Sequence, residues 1–308
     1  MKLSQEEGIA RLTPLLNRGK LIVFVGSGVS VPSGLPTWDG LLREFIAFCH
    51  SLPGQVKDDE FARLLSDAEG MTATYPTRVA SALRDKLKQT PENEKDTVER
   101  YWKRWLNRMF VAADPNPAHE AVVGTNYPYI VTSNYDDLLE MAARSRGMSE
   151  LPFNSFSFTH PEKVAAAIYE KRPCIIHAHG DGENLSIGDM IFTAEDYQRI
   201  RRDYPGFRLA LQTLMLQYSM LFVGYGGSDP HLEDLLDEVC HSLGWKQAGL
   251  PEAFVFMKEE KVNSVHERYK EKRRTHFIVT RTYEDTVPFL KSLEDACPRL
   301  SEPEGVGG

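Results

Sequence analysis

The turn Gly26-Ser27-Gly28-Val29-Ser30 closes an apolar run, Leu21 to Val25, and is followed at short range by Gly34 and Pro36. A strand ending at a Gly-x-Gly turn can offer backbone N–H groups to a diphosphate, because no Cβ blocks the approach. The Gly-Lys-Ser/Thr that ends a phosphate loop is missing here, which disfavours a Walker-type hydrolase. A dinucleotide cradle and an ordinary strand-to-helix turn both remain open. Asn134 and Asp136 follow a second apolar run. A carboxamide and a carboxylate so placed can hold a ligand amide or ribose hydroxyls. Asp136 or Asp137 could equally cap the helix that begins near Leu138. His179 closes a third run, with His177 two residues earlier. A histidine at a strand end can accept a proton near neutral pH, and a structural histidine satisfies the pattern as well. His177 reads as a core residue behind it. A fourth run ends at Gly224-Tyr225-Gly226-Gly227-Ser228-Asp229-Pro230, suited either to a ribose or adenine edge or to a plain loop with proline opening a helix.

These groups need elements to position them. Ile9, Leu12, Leu15 and Leu16 recur at helical spacing over residues 5–18. Thr37 is a plausible N-cap for a helix with Leu41, Leu42, Phe45, Ile46 and Phe48 on its apolar face. Residues 52–112 read as wholly helical, with breaks at Tyr75-Pro76 and Thr90-Pro91. They predict a helical lobe inserted into an α/β domain. Asp114 to Pro117 reads as a turn, with a helix from His119. Strands are predicted at Leu21–Val25, Tyr129–Thr132, Pro173–His179, Ser219–Val223, Ala253–Met257 and Thr275–Val279. Helices are expected after Leu138, after His231, after Met257 (a charged one) and over Asp285–Leu293. Short apolar strands alternating with helices predict an α/β fold, a mostly parallel Rossmann-like sheet with helices on both faces. In such sheets ligands bind outside the carboxyl ends of the strands, where the four polar turns fall. The domain is expected to span 1–295, with 296–308 a disordered tail.

Apolar and charged contents of 42% and 26% are ordinary for a soluble protein, and the length of 308 residues allows a sizeable core. A formal net charge of −8 argues against nucleic acid or an anionic membrane as a direct partner. The basic run Lys270 to Arg274 reads as a solvated helix face. No apolar stretch reaches membrane-spanning length and the N-terminus does not read as a signal peptide, which predicts a cytoplasmic protein. Cys49, Cys174, Cys240 and Cys297 lie far apart, fitting neither a zinc knuckle nor a disulfide framework, so no metal is expected.

Taken together, the motifs are more specific than any one of them. Gly26-Ser27-Gly28-Val29-Ser30 with Gly34 and Pro36 resembles the Gly-Ala-Gly-(Ile/Val)-Ser…Gly-Ile-Pro signature of the sirtuin family. Thr132-Ser133-Asn134-Tyr135-Asp136 and His179-Gly180-Asp181 are similar to the Thr-Thr-Asn-Tyr-Asp and His-Gly-Asp of its bacterial, anti-phage defence branch. Phe222 to Leu232 and Ile191 to Tyr197 resemble two further elements of that branch, in the same order. The resemblance covers about residues 9 to 290.

The departures matter too. The paired Cys-x-x-Cys zinc module of the protein deacylases is missing, and Pro36-Thr37-Trp38-Asp39 stands where they have Pro-Asp-Phe-Arg. The resemblance therefore implies an NAD+ hydrolase (a zinc-less NADase) releasing nicotinamide and ADP-ribose, with NAD+ as substrate. It places the diphosphate at Gly26, Ser27, Gly28 and Ser30, with Pro36 and Trp38 beside it. Gly224, Gly226 and Ser228 would line the adenosine end. Asp136 would hold the nicotinamide or its ribose, and Asn134 and His179 would activate the attacking water or a ribose hydroxyl. Such an enzyme must be restrained, and no segment after 295 is long enough for a sensor. Control is expected from oligomerisation or a separately encoded partner, such as an ATPase, an Argonaute-like protein or a nucleotide-sensing subunit, with residues 52–112 as the docking or gating element. The alternatives are an NAD or ADP-ribose sensor without turnover, and an NAD-dependent deacylase.

Overall fold

In the computed structural model, residues 1–54, 59–71, 76–111, 113–147, 154–180, 191, 194–226, 235, 237–239, 250–262 and 275–299 are described. The chain opens with β1 (Lys2–Leu3), α1 (Gln5–Asn17) and β2 (Leu21–Val25). Four helices follow, α2 (Trp38–Ser51), α3 (Asp59–Met71), α4 (Pro76–Lys88) and α5 (Glu92–Leu106), then a π-helical turn at Asn107–Val111. The body resumes with α6 (Pro117–Gly124), β3 (Tyr129–Thr132), α7 (Leu138–Ser145), β4 (Asn154–Ser157), α8 (Pro161–Tyr169) and β5 (Cys174–His177). It ends with α9 (Ala194–Asp203), α10 (Pro205–Gln217), β6 (Ser219–Val223), β7 (Ala253–Lys258), β8 (Thr275–Thr280) and α11 (Thr286–Ala296).

The eight strands form one sheet in the order β1-β8-β7-β6-β2-β3-β5-β4, and all their pairings are parallel. Parallel strands need both faces covered, and alternate side chains supply the two cores. Ile22, Phe24, Ile176 and Phe222 pack with Phe207, Leu211 and Leu214 of α10 on one face. Val23, Val25, Ile130 and Ile175 pack with α1, α6, α7 and α11 on the other. From β2 the next strand of the sheet lies to one side, while β6 returns to the other, so the crevice between their ends is where the winding reverses.

The helical lobe has its own core of Phe45, Phe48, Trp102, Trp105 and Phe110. Trp102 and Trp105 lie 5.0 Å apart between ring centroids, and Phe48 is 5.5 Å from each. Thr37 caps α2 as expected, its hydroxyl accepting from the Gly40 N–H. Lobe and body meet at several points. Tyr135 and Leu138, from the segment after β3, belong to the lobe core, with the Tyr135 ring 5.7 Å from Phe110. Arg84 of α4 pairs with Asp196 of α9, both buried.

Some boundaries differ from expectation for identifiable reasons. The third strand is shorter than 173–179: it stops at His177, and Ala178 and His179 turn toward Gly180, whose φ of 98° ends the extended run. The helix expected from His119 starts at Pro117, because Asn116 caps it and proline suits the first turn. Two strands were not anticipated: β1 has only two residues, and β4, Asn-Ser-Phe-Ser at the sheet edge, has no apolar run. Residues 297–299 are no loose tail, since Pro298 bridges Thr125 and the Arg299 guanidinium donates to the carbonyls of Val123, Thr125 and Tyr127. Ser228, the start of the helix expected from His231, most of the charged helix after β7, and Ser301–Gly308 lie outside the described residues.

Candidate active site

Gly26 and Gly28 follow β2, and Gly224 follows β6. A Cβ on Gly26 would sit 2.6 Å from the Gly224 carbonyl oxygen, and one on Gly28 would sit 2.9 Å from the Gly224 Cα. Gly224 adopts a φ of +66°, and a Cβ there would meet the Val29 nitrogen at 2.5 Å. The three glycines thus let two backbone turns lie directly against each other. The turn's N–H groups are also engaged: Gly26 donates to Val223, Gly28 to Gly224, Val29 to Gly26 and Ser30 to Ser27. The sequence suggested bare N–H groups facing a diphosphate. Four of the five from 26 to 30 instead serve the fold, and the Ser27 N–H is the one for which no acceptor is seen among the described residues.

Beneath that turn Ser30 is fully buried, and three polar side chains converge on its hydroxyl. The Asn134 Nδ2 donates to it at 3.0 Å, it donates to the Asp136 Oδ2 at 3.0 Å, and the His119 Nε2 lies 3.1 Å away. The roles are fixed by elimination. The His119 Nδ1 accepts from the Asn116 N–H at 3.2 Å, so in a neutral ring the proton is on Nε2 and is donated to Ser30. Burial holds His119 down to about 4, against the raising effect of Glu140, which keeps the ring neutral near pH 7. Ser30 then accepts twice and donates once, which exhausts a hydroxyl. Asn116 completes the support, donating to the Val29 carbonyl at 2.8 Å and to the Ser33 hydroxyl at 2.9 Å.

Asn134 is held on every side but one. Its N–H donates to the Thr132 hydroxyl at 3.0 Å, and its carbonyl lies 3.1 Å from the His177 Nδ1. Its amide nitrogen is committed to Ser30. Its Oδ1 is buried and makes no hydrogen bond among the described residues. A buried acceptor left open is costly, and a ligand hydroxyl or a water would satisfy it. Asp136 is buried as well, and burial pushes its carboxyl up to about 6, although the Ser30 hydroxyl and the His177 charge favour the anion. Its Oδ1 accepts from the Leu138 N–H at 3.4 Å, so the helix-cap role weighed for it is also real. Asp137 makes no side-chain cap bond.

His179 stands at the next strand end, buried, with the Tyr197 ring at 5.7 Å and the Tyr135 ring at 6.4 Å. Ser30, Asn134 and Asp136 are therefore brought into one hydrogen-bonded cluster, with His179 on the adjoining strand end. Pro36 and Trp38 sit at the start of α2, where Trp38 packs on the lobe core. At Gly226 a Cβ would meet nothing within 4 Å. His119, Asn116 and Glu140 were not singled out from sequence. The legible signal was Asn116-Pro117-Ala118-His119, a cap residue followed at the third helical position by a side chain able to reach back. Among the described residues, no group of three or more His, Cys, Asp or Glu is placed to hold a metal, and no helix is long and apolar enough to cross a membrane.

Several known proteins are similar to this chain. "Defense-associated sirtuin 2" of Bacillus subtilis is 26% identical over 236 residues, 76% of this chain and 20% of that protein. "NAD(+) hydrolase ThsA" of Acinetobacter baumannii (strain 532279) is 25% identical over 233 residues, 75% of this chain and 41% of that protein. The chain thus spans less than half the length of these curated relatives. A solved Sir2 homologue mutant in complex with ADP-ribose aligns over 93% of this chain and 96% of its own, at 14% identity and a TM-score of 0.47. Residues 128–278, which hold Asn134, Asp136 and His179, match the family model described as SIR2-like domain.

Proposed function

We propose that the chain is an NAD+ glycohydrolase, cleaving NAD+ to nicotinamide and ADP-ribose. The observation that carries this reading is the buried, unpaired Asn134 Oδ1 beside the buried Asp136 carboxylate. An orphan acceptor next to an anion suits a reaction in which positive charge develops on a sugar and a water must be held against it. The names of the relatives, an NAD+ hydrolase and a defence-associated sirtuin, support it.

In the first half of the reaction the C1′–N bond breaks, and its electron pair goes to the nicotinamide nitrogen. The pyridinium leaves as a neutral ring and needs no proton. Positive charge passes to the ribose, and Asp136 stabilises it. Water then adds to C1′, with its hydrogen directed at the Asn134 Oδ1 and its surplus proton taken by His179. NAD+ and water give nicotinamide, ADP-ribose and one proton. Ser27 and the rim of the interlocked turns would face the diphosphate, and Gly224, Gly226 and Ser228 the adenosine end.

Residues 1–295 act on this reading as a single NAD+-binding domain with a helical insertion. The protein serves as a cytoplasmic anti-phage effector, restrained by self-association or by a separately encoded subunit (an ATPase, an Argonaute-like or a nucleotide-sensing protein). The test is nicotinamide release from NAD+ by the parent and by Asn134→Ala and His179→Ala, in dilute and concentrated protein and with cell lysate. Release by the parent alone is expected, with binding kept in the variants. Binding without release in every condition would overturn the reading in favour of a sensor. Release only with an acyl-lysine peptide would overturn it in favour of a deacylase.

A further inference from the structure

Resting on that glycohydrolase reading, we propose that buried His177 and part-buried Glu140 form a pair charged at neutral pH that positions Asn134 and keeps Asp136 an anion, His177 being a positioning residue that never meets substrate. The His177 Nδ1 lies 3.1 Å from the Asn134 carbonyl oxygen, and its Nε2 lies 2.7 Å from the Glu140 Oε1. A carbonyl oxygen can only accept, and so can a carboxylate. Both ring nitrogens therefore carry hydrogen, and the ring is an imidazolium. Burial opposes that charge. The Glu140 charge and hydrogen bond, the Asn134 carbonyl and Asp136 outweigh it and raise His177 to about 9, while burial likewise opposes the Glu140 charge but His177 holds that carboxyl below its ordinary range.

Such a pair is an expensive way to fill space, since well-packed apolar residues often serve as well or better. Its position gives it a use. With the backbone N–H on Thr132 and one amide N–H on Ser30, the imidazolium is the third tether on Asn134 and leaves its Oδ1 open to turn toward a reactant. The groups bearing on Asp136 are Ser30, with neutral His119 behind it, Leu138, His177 and Glu140. His177 is the one cation among them, and the only one whose charge favours the anion.

Removing one partner would strand the other's charge, so both are replaced. His177→Phe/Glu140→Leu removes charge and tether together. His177→Asn/Glu140→Leu removes the charge but keeps an N–H donor to the Asn134 carbonyl. The expected result for the first is kcat lower by about 10²-fold, as for a misplaced catalytic group, with KM changing far less. In the second, most of kcat returns, while the acid limb of the pH profile stays shifted upward, because the His177 cation that is lost bears on Asp136 more strongly than the Glu140 anion lost with it. An unchanged kcat and acid limb in a folded His177→Phe/Glu140→Leu protein would overturn the proposal. Nitrogen NMR of the full chain, with His177→Phe assigning the signal, reads the pair without any turnover. Two protonated ring nitrogens at about pH 8 are expected, and a neutral ring there overturns the pair. A parent that shows this signal yet never releases nicotinamide refutes the glycohydrolase and the positioning role, while the charged pair itself stands.

Discussion

Asp136→Asn should make the protein more stable and less active at once. The buried carboxyl titrates at about 6 against an ordinary 3.8, so ionising it in the folded state is disfavoured by about two units. That is roughly 3 kcal/mol of instability carried by the folded protein at neutral pH. Asparagine removes the charge and can still accept from Ser30, but its amide nitrogen then faces the Leu138 N–H that the Asp136 Oδ1 now serves. That lost bond returns about 1 kcal/mol, leaving a net gain of roughly 2 kcal/mol. For a chain of this length the gain corresponds to a rise in Tm of about 3 °C. The pH dependence identifies the cause. Between 3.8 and about 6 the folded state holds a proton at Asp136 that the unfolded state has lost, so this group's contribution falls as pH rises and is fully adverse above about 6. His119 runs the other way: its folded value of about 4 lies below the ordinary 6.5, so it adds stability as pH rises through that window. The two slopes nearly cancel in the parent, and the difference between parent and variant isolates Asp136. Urea melts of both at about pH 4 and pH 8 are the assay, with nicotinamide release alongside. A small loss at the acid end, where Asp136 is already neutral in the folded state and the missing Leu138 bond is felt, a gain at the alkaline end and lost release are expected. A variant less stable than the parent at about pH 8 would refute the account of Asp136 as a strained anion.

The interlocked turns make a paired test. Gly28→Ala drives a methyl into the Gly224 backbone and should cost about 1–3 kcal/mol in denaturant melts, whereas Gly226→Ala enters open space and should fall within about 0.5 kcal/mol of the parent. Similar effects from both would show that the turns do not depend on that approach. Arg84→Met takes the buried guanidinium from Asp196, which keeps Arg199 at 3.6 Å, and should cost about 3 kcal/mol in the same melts; a loss under about 1 kcal/mol would show that the pair does not fasten the lobe.

The parts of the fold that could be read directly are those whose side chains face apolar surroundings on both sides. The runs at β2, β3, β5 and β6 are buried at every position, the continuous pattern of strands covered on both faces. β4 escaped because an edge strand needs backbone partners more than apolar side chains. In the site, Ser30, Asn134 and Asp136 were legible because strand ends in a parallel sheet gather polar residues. His119 was not, since its significance lies in a hydrogen bond to a residue 89 positions away. His177 was placed in the core correctly, but its charge depends on Glu140, one helix away, and no local pattern encodes that. The glycines were placed at the strand ends from sequence, and the close approach the structure shows them admitting is that of the Gly224 turn.

The lobe also carries its own optical label. Of the chain's four tryptophans, Trp102 and Trp105 lie in contact in the lobe core and Trp38 packs at its edge, while the fourth, Trp245, falls outside the described residues. The buried indoles sit among phenylalanines, with Tyr135 of the site segment joined to them through Phe110. The wavelength and quenching of these three indoles therefore report on the packing of one structural unit and its join to the site segment, with no dye attached.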